Sequence, residues 1–404
     1  MVIRLRGPII VAAALCALGC QRIVRADEAS GFSVNVSDQY SYDDNLYRLP
    51  SQFDIAGVAA GSARLDRINT LSAGATGKLS YAHQVLGVDL RLDDNRFARN
   101  DSLNNTSGTA GLTWDWLLSP SLSGIAGADF TRSLAGFADN RFFAKDLVDT
   151  TEYFASAASR LTSRWGLKAE LRQADTTHGA DLRQVDDFHS RSGSAAIEYF
   201  LSADNSLGLD YRYIDAYFPR PATLQGALFD RNYRDSVGRV LAKYALSGEL
   251  LLDASVGYLK RHYPGSGFGS FSGNIWRASL QWQVSGKTQV LLSGWRELTA
   301  YLDSQSDYFI SQGGSIAPTW NPTERISVTM AASWTRQNYL SSSPSAILLA
   351  SRLDRVRSGK ASVDFAPRDW LTCELSYRYE RRDSNRAQFV YDDGLASVTI
   401  TIKR

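Results

Sequence analysis

The amino-acid sequence predicts an all-β protein, a transmembrane antiparallel up-and-down β-barrel of about 18 strands. Three observations lead to this fold class. Apolar and polar residues alternate in segments of about ten residues, the pattern of a strand with one lipid-facing and one water-facing side. Short turns alternate with longer polar loops between these segments. Tryptophans lie close to the short turns, where an aromatic girdle belongs.

The composition argues against several other classes of protein. The 404 residues are 44% hydrophobic and 21% charged, and a mean hydropathy of −0.24 excludes a bundle of transmembrane helices. The 44 basic and 42 acidic residues give a net charge of +2, so no nucleic-acid-binding surface is expected.

The N-terminal residues 1–26 have the features of a secretory signal peptide. Arg4 and Arg6 precede a short apolar run over residues 8–18, and Ala26 offers a cleavage site before residue 27. A cut before Cys20, giving a lipid-modified N-terminus, is the alternative. Residues 27–404 then form one outer-membrane barrel domain, in which Cys373 is the only cysteine and no intramolecular disulfide can form.

The alternation is clearest over residues 206–213. There Leu207, Leu209, Tyr211 and Tyr213 fall on one face, and Gly208, Asp210 and Arg212 fall on the other. Six further segments have the same pattern: 86–93, 250–261, 273–284, 326–335, 371–382 and 396–402. The pattern does not decide which residues of segments 153–162 and 288–298 face outward.

The connections set the strand number. Short turns are predicted at Ala82-His83, Ser119-Pro120, Ser163-Arg164, Asp204-Asn205, Ser247-Gly248, Ser285-Gly286, Asn321-Pro322 and Arg368-Asp369. Longer loops are predicted at 47–65, 98–106, 138–147, 177–187, 217–229, 263–269, 303–307, 341–352 and 384–389. Eight turns and nine loops join 18 strands, an even number typical of the outer membrane of Gram-negative bacteria. A soluble sandwich, propeller or solenoid remains the alternative, but such strands are shorter, about 5–6 residues.

No residue pattern indicates an enzyme. The four histidines have no metal-ligand spacing, and no GxSxG or GxGxxG motif is present. Gly286-Lys287-Thr288 resembles the end of a phosphate loop but lacks its first glycine, so it is interpreted as a turn. We therefore expect no catalytic residue, no metal and no cofactor.

The water-facing positions carry charged residues of both signs. The candidates for the pore lining are Arg91, Asp210, Arg212, Arg239, Asp253, Arg261, Arg277, Glu374, Arg378 and Arg382. They have two interpretations that can hold together. The charges can pair across strands and brace the wall, or they can contact a polar solute in a hydrated channel.

The end of the first predicted strand resembles a known family. Tyr42-Asp43-Asp44-Asn45, followed by Arg48-Leu49-Pro50, is similar to the EpsL family of outer-membrane proteins from exopolysaccharide operons associated with exosortase/PEP-CTERM systems, within a wider β-barrel porin group. The stretches Phe271-Ser272-Gly273 and Ser293 to Leu298 resemble the same family. One departure is the C-terminus, Ile402-Lys403-Arg404, which lacks the terminal aromatic usual in barrels.

The resemblance implies that the protein helps to export an exopolysaccharide across the outer membrane. Its expected partners are outer-membrane lipid, the secreted polysaccharide and periplasmic or inner-membrane export proteins. A general or substrate-specific uptake porin is the alternative, and a structural barrel or adhesin is the third. The residues alone leave the solute and the oligomeric state open.

Overall fold

A computed structural model describes residues 30–53, 55, 62–139, 142–224, 227–265, 270–303, 306–340 and 351–404. The predicted signal peptide, with the alternative cleavage site at Cys20, lies outside these residues. Among the described residues, no helix is both long enough and apolar enough to cross a bilayer.

The described chain is almost entirely strand. The barrel strands are β1 Gly31–Asp43, β2 Asp66–Tyr81, β3 Gln84–Phe97, β4 Asn105–Ser119, β5 Leu122–Leu134, β6 Leu147–Arg160, β7 Trp165–His178, β8 Phe188–Phe200, β9 Ser206–Tyr217, β10 Tyr233–Ser247, β11 Leu250–His262, β12 Phe271–Ser285, β13 Thr288–Asp303, β14 Ser306–Thr323, β15 Ile326–Leu340, β16 Leu353–Arg368, β17 Leu371–Ser384 and β18 Tyr391–Lys403. A short hairpin (Ala222–Leu224, Ala227–Phe229) and three 3₁₀ turns (Asp101–Leu103, Asp181–Asp186, Ala387–Phe389) lie in the loops.

Each strand pairs antiparallel with its chain neighbours, and β18 pairs with β1. The closing register runs from Asn35 opposite Lys403 to Asp43 opposite Leu395. Val34 and Arg404 extend this seam by exchanging two backbone hydrogen bonds of 2.9 Å. The predicted 18-stranded antiparallel barrel is thus confirmed.

The short turns all lie at the end of the barrel that carries the start of β1 and the end of β18. Seven of the eight lie where the sequence predicts them. The eighth is displaced, because β14 continues through Pro322 and turns at Glu324-Arg325. Pro322 donates no backbone hydrogen bond, and it sits where the register between β14 and β15 shifts, a bulge that tolerates proline.

Of the longer loops, the one expected at 303–307 is mostly strand, because β13 ends at Asp303 and β14 starts at Ser306. Most of the loop expected at 341–352, and part of that at 263–269, lies outside the described residues.

Solvent exposure separates the two faces of the sheet. Leu209 and Leu375 are each 60% exposed, whereas Asp210, next to Leu209 along the chain, is 7% exposed. Pairing also resolves the two ambiguous segments. Val290 lies opposite Trp282 and so shares its outer face, which turns Leu291 inward. In β6, Tyr153 faces outward at 52% exposure, and Phe154 faces the lumen beside Arg172.

This topology predicts which end of the barrel reagents reach from outside the cell. Arg220 lies exposed in the long loop after β9, and Ser247 lies exposed at a short turn. We expect Arg220→Cys to react with a membrane-impermeant maleimide on intact cells, because long loops are extracellular. Ser247→Cys should react only after the outer membrane is permeabilised. The parent chain, with Cys373 on a strand, is the control; labelling at Ser247→Cys in intact cells would reverse the topology.

The facing of β17 predicts a large difference between two neighbouring substitutions. Leu375→Arg places a charge against hydrocarbon and should cost about 2–4 kcal/mol of folding free energy near the bilayer midplane. Ser376→Arg faces the lumen and loses one 2.7 Å hydrogen bond to Ser397, so it should be much milder. Urea titration of barrels refolded in vesicles measures both. Equal losses of folding free energy in the two variants would show that Leu375 and Ser376 are assigned to the wrong faces of β17.

Candidate functional site: the lumen and its mouth

All ten pore-lining candidates lie on the inner face of the sheet, but they differ in accessibility. Five are buried at 3–8% exposure: Asp210, Arg212, Arg239, Arg261 and Arg382. Five are partly accessible: Arg91, Asp253, Arg277, Glu374 and Arg378. Burial depends on what covers a side chain, and strand periodicity alone cannot distinguish the two groups.

Three of the buried members, Asp210, Arg239 and Arg261, take part in ion pairs between neighbouring strands. Arg239 of β10 lies directly opposite Asp210 of β9, with an Nη2–Oδ2 distance of 2.5 Å. Arg261 of β11 makes two bonds of 2.7–2.8 Å to Asp235 of β10, also directly opposite. Their side chains are only 3–4% exposed. These pairs join neighbouring strands and offer little surface to a solute.

The accessible members also have partners, yet they leave charge open to the lumen. Arg277 binds Glu297 at 2.5–2.8 Å while 41% of its side chain stays exposed. Arg91 binds Asp93 at 2.6 Å and is 33% exposed. Such groups can exchange their partner for a passing ion, because an exposed ion pair is worth only about 0–1 kcal/mol.

The motif at the end of β1 folds into a closed turn. Asp43 Oδ1 accepts a bond of 2.9 Å from the backbone N–H of Asn45, and Arg48 N–H donates to Asn45 O at 2.8 Å. The Asn45 side chain donates to Leu49 O and accepts from Leu49 N at 2.9–3.0 Å. Arg48 adopts a left-handed φ of 55°, which this ring of bonds supports. The first loop, residues 44–65, therefore begins with a defined geometry.

The same motif attaches the first loop to the last strand. Asp44 exchanges two bonds with the backbone of Gly394, at 2.7 and 3.1 Å. Asn45 Nδ2 donates to Asp392 O at 2.7 Å. Arg48 bridges Asp43 at 3.2 Å and Asp393 at 2.7 Å, so one guanidinium joins both sides of the seam.

Charge at the seam is balanced by arginine. Burial alone lowers the pKa of the Arg48 guanidinium, but the carboxylates of Asp43 and Asp393 outweigh burial and raise it. Oxygens of Asp43, Asp44 and Asp393 lie within 4.8 Å of one another, an arrangement that could hold a metal ion. Because Arg48 already binds two of these carboxylates, the cation at this position is a guanidinium.

The mouth of the barrel contains an apolar core. The core consists of Leu46, Tyr47, Leu49, Phe97, Leu103 and Phe137, all at 7% exposure or less. It joins the first loop to the loop between β5 and β6, which is described at residues 135–139 and 142–146 and is here called the crossing loop. The Tyr47 ring lies 4.7 Å from Phe137 and 5.8 Å from Phe143. Two loops thus fold inward and pack on each other, which narrows the entrance.

The crossing loop also contacts the far wall. Asp139 Oδ1 lies 2.8 Å from Arg382 Nη1 of β17, and the same guanidinium donates to Ala138 O at 2.8 Å. Arg352, just before β16, lies 3.8 Å from Asp139 and 2.6 Å from Asp354. Sequence reasoning missed Asp139 and Arg352, since loops have no periodicity. The apolar residues inside long polar loops, Tyr47 and Phe137, are the signal that these loops fold inward.

Comparisons with known proteins agree with this fold. Residues 227–404, less than half of the chain, match the family model described as "Putative beta-barrel porin 2". OccK9 (OpdG) of Pseudomonas aeruginosa and a BenF-like porin of Pseudomonas fluorescens Pf-5 each have a similar structure, with a TM-score of 0.52, at 12% and 9% identity. In both comparisons, 93% of this chain and 99% of the other are covered. No curated protein matches the sequence. The chain is a porin-like β-barrel of the outer membrane.

The seam predicts a costly substitution. Arg48→Met leaves Asp43 and Asp393 facing each other without the bridging guanidinium. We expect a loss of about 3 kcal/mol, the lower end for a buried pair that loses one partner, because Arg378 remains 3.2 Å from Asp393. Urea unfolding in vesicles, with proteolysis of the first loop, measures the loss.

A matched control is Arg96→Met, which removes an exposed pair with Asp94 at the outer face of β3. That change should cost about 0–1 kcal/mol. Indistinguishable unfolding midpoints for the two variants would show that the bridge does not hold the seam.

Proposed function

We propose that this protein is a diffusion channel that admits small hydrophilic solutes through the outer membrane, with a preference for solutes that carry a carboxylate. The inward-folded mouth is the observation that carries the proposal. Tyr47 and Phe137 meet inside the entrance, and the crossing loop reaches the wall at Arg382. A narrowed entrance suits a small solute better than a long polymer.

The accessible arginines support the preference for carboxylates. The guanidinium groups of Arg91 and Arg277 can grip a carboxylate with two parallel hydrogen bonds. Both groups already contact acidic side chains, at 2.6 Å and 2.8 Å, so a solute would exchange with a resident carboxylate. Exchange keeps each binding step weak, and conduction requires many weak sites rather than one tight site. A solved structure of OccK2 (OpdF) of Pseudomonas aeruginosa holds glucuronate, which makes that sugar acid a suitable probe.

Export of an exopolysaccharide is the second candidate, and the resemblance of Tyr42 to Pro50 to the EpsL family favours it. It would require the two mouth loops to move aside for an extended chain, with periplasmic or inner-membrane export proteins as partners. A deletion strain distinguishes the candidates. Loss of surface polysaccharide would support export, whereas normal polysaccharide with slower uptake of a small acid would support the channel.

Solute uptake into liposomes tests the channel directly. Vesicles that contain the folded protein should take up glucuronate faster than glucose, and should exclude a long dextran. Arg277→Gln should slow glucuronate about fivefold, the equivalent of roughly 1 kcal/mol for one charge-assisted contact in water. Its control is Arg296→Gln, on the outer face of the adjacent strand. Dextran passage, or equal slowing of glucose and glucuronate, would contradict the proposal.

A further inference from the structure

The crossing loop is attached to the barrel wall at its base and at its tip. Its base is closed by a bond of 2.8 Å from Ala135 N–H to Asp146 O, and Asp146 is 1% exposed. Its tip carries Phe137, Ala138 and Asp139, of which the first two are buried. At the tip, the bond from Arg382 to Ala138 O joins two residues that are 244 positions apart in the chain.

The two attachment points are far apart around the ring. Counted through the β18–β1 seam, six strand steps separate β17 from β5, where the loop starts. Neighbouring strands lie about 4.8 Å apart, so these steps correspond to roughly 29 Å of wall. The loop therefore crosses the mouth, and its contact at Asp139 decides how far across it extends.

The two arginines on the wall side of this contact are held by several other contacts. The Arg352 guanidinium is fully buried between the rings of Tyr339 and Phe389, at 4.0 and 3.4 Å from their centres. Its bonds to Asp354, at 2.6–2.9 Å, fix its direction. Arg382 is 3% exposed and lies 5.3 Å from the Tyr391 ring. Arg352 and Arg382 thus both contact the carboxylate of Asp139. Tyr339 Oη lies 3.5 Å from the same Asp139 oxygen.

We propose that Asp139 is a positioning residue that sets the size limit of the channel, because its carboxylate ties the crossing loop to Arg382 and Arg352 across the mouth. Without this carboxylate the loop keeps its base, its contact with the first loop and the bond from Arg382 to Ala138 O, but its tip loses both charge contacts with the far wall. The open cross-section then increases, and larger solutes pass. The inference rests on the proposed channel function.

Single-channel recording in planar bilayers tests the tie. Asp139→Ala should raise the fraction of time spent in the widest conducting state about tenfold, the scale of one lost bond between charged groups. The same variant should admit larger polyethylene glycols in liposome swelling. The control is Asp149→Ala, which removes a partly exposed carboxylate paired with Arg132 at 2.6 Å, beside the base of the same loop but outside the lumen. That control should conduct as the parent does.

A double-mutant cycle with Arg382→Met separates a tie from general damage. Because Asp139 and Arg382 share one contact, the double variant should open less than the sum of the two single effects. It should open somewhat further than Asp139→Ala alone, because Arg382→Met also removes the bond to Ala138 O. Heat-modifiable migration on gels shows that each barrel is folded. Unchanged conductance in Asp139→Ala, or additive effects in a folded double variant, would overturn the tie. A parent protein that forms no conducting channel would instead refute the proposed function itself.

Discussion

A sheet inside a bilayer has no water to satisfy an unpaired edge, so the last strand of this chain must pair with the first. Closure also demands that the inward and outward faces match around the whole ring. The register shifts respect this demand, since they lie beside hairpin turns, as between Ala245 and Ser247 or between Gln283 and Ser285. A shift in mid-strand would turn every later side chain to the opposite face.

Closure creates a wall whose inner face is polar, and the charges there serve two purposes. Where they are covered, as in the pair of Asp210 and Arg239, they join neighbouring strands. Where they are open, as in the pair of Arg277 and Glu297, they leave a hydrated surface. At the mouth, the first loop and the crossing loop cover part of the inner face, because they pack together around their own apolar core. In the proposed channel, selectivity then depends on loop packing as much as on wall charges.

The sequence predicts the wall far better than the mouth. Alternation identifies the faces of β9 and β17 because one face meets lipid and the other meets water. It fails over residues 288–298, where Leu291 lines the lumen next to Leu292 on the outer face. The wall of the lumen can carry apolar side chains, so the hydrophobicity of a residue there does not indicate which face of the sheet it lies on. The mouth contacts are less predictable still, because they join distant parts of the chain through segments that have no period, as Ala138 and Arg382 show.

The motif that resembles the EpsL family has a structural role that is independent of any cargo. Asp43, Asn45 and Arg48 close a turn and fasten it to β18 beside Asp393, so they stabilise the seam at the end of the barrel that carries the long loops. From that turn the first loop carries Tyr47 into the mouth core. A resemblance in these residues therefore indicates that the mouth of the barrel is built in a similar way. It does not distinguish export of a polysaccharide from uptake of a small acid. The width that the mouth allows is the property that separates these cargoes, and it depends on where the crossing loop ends.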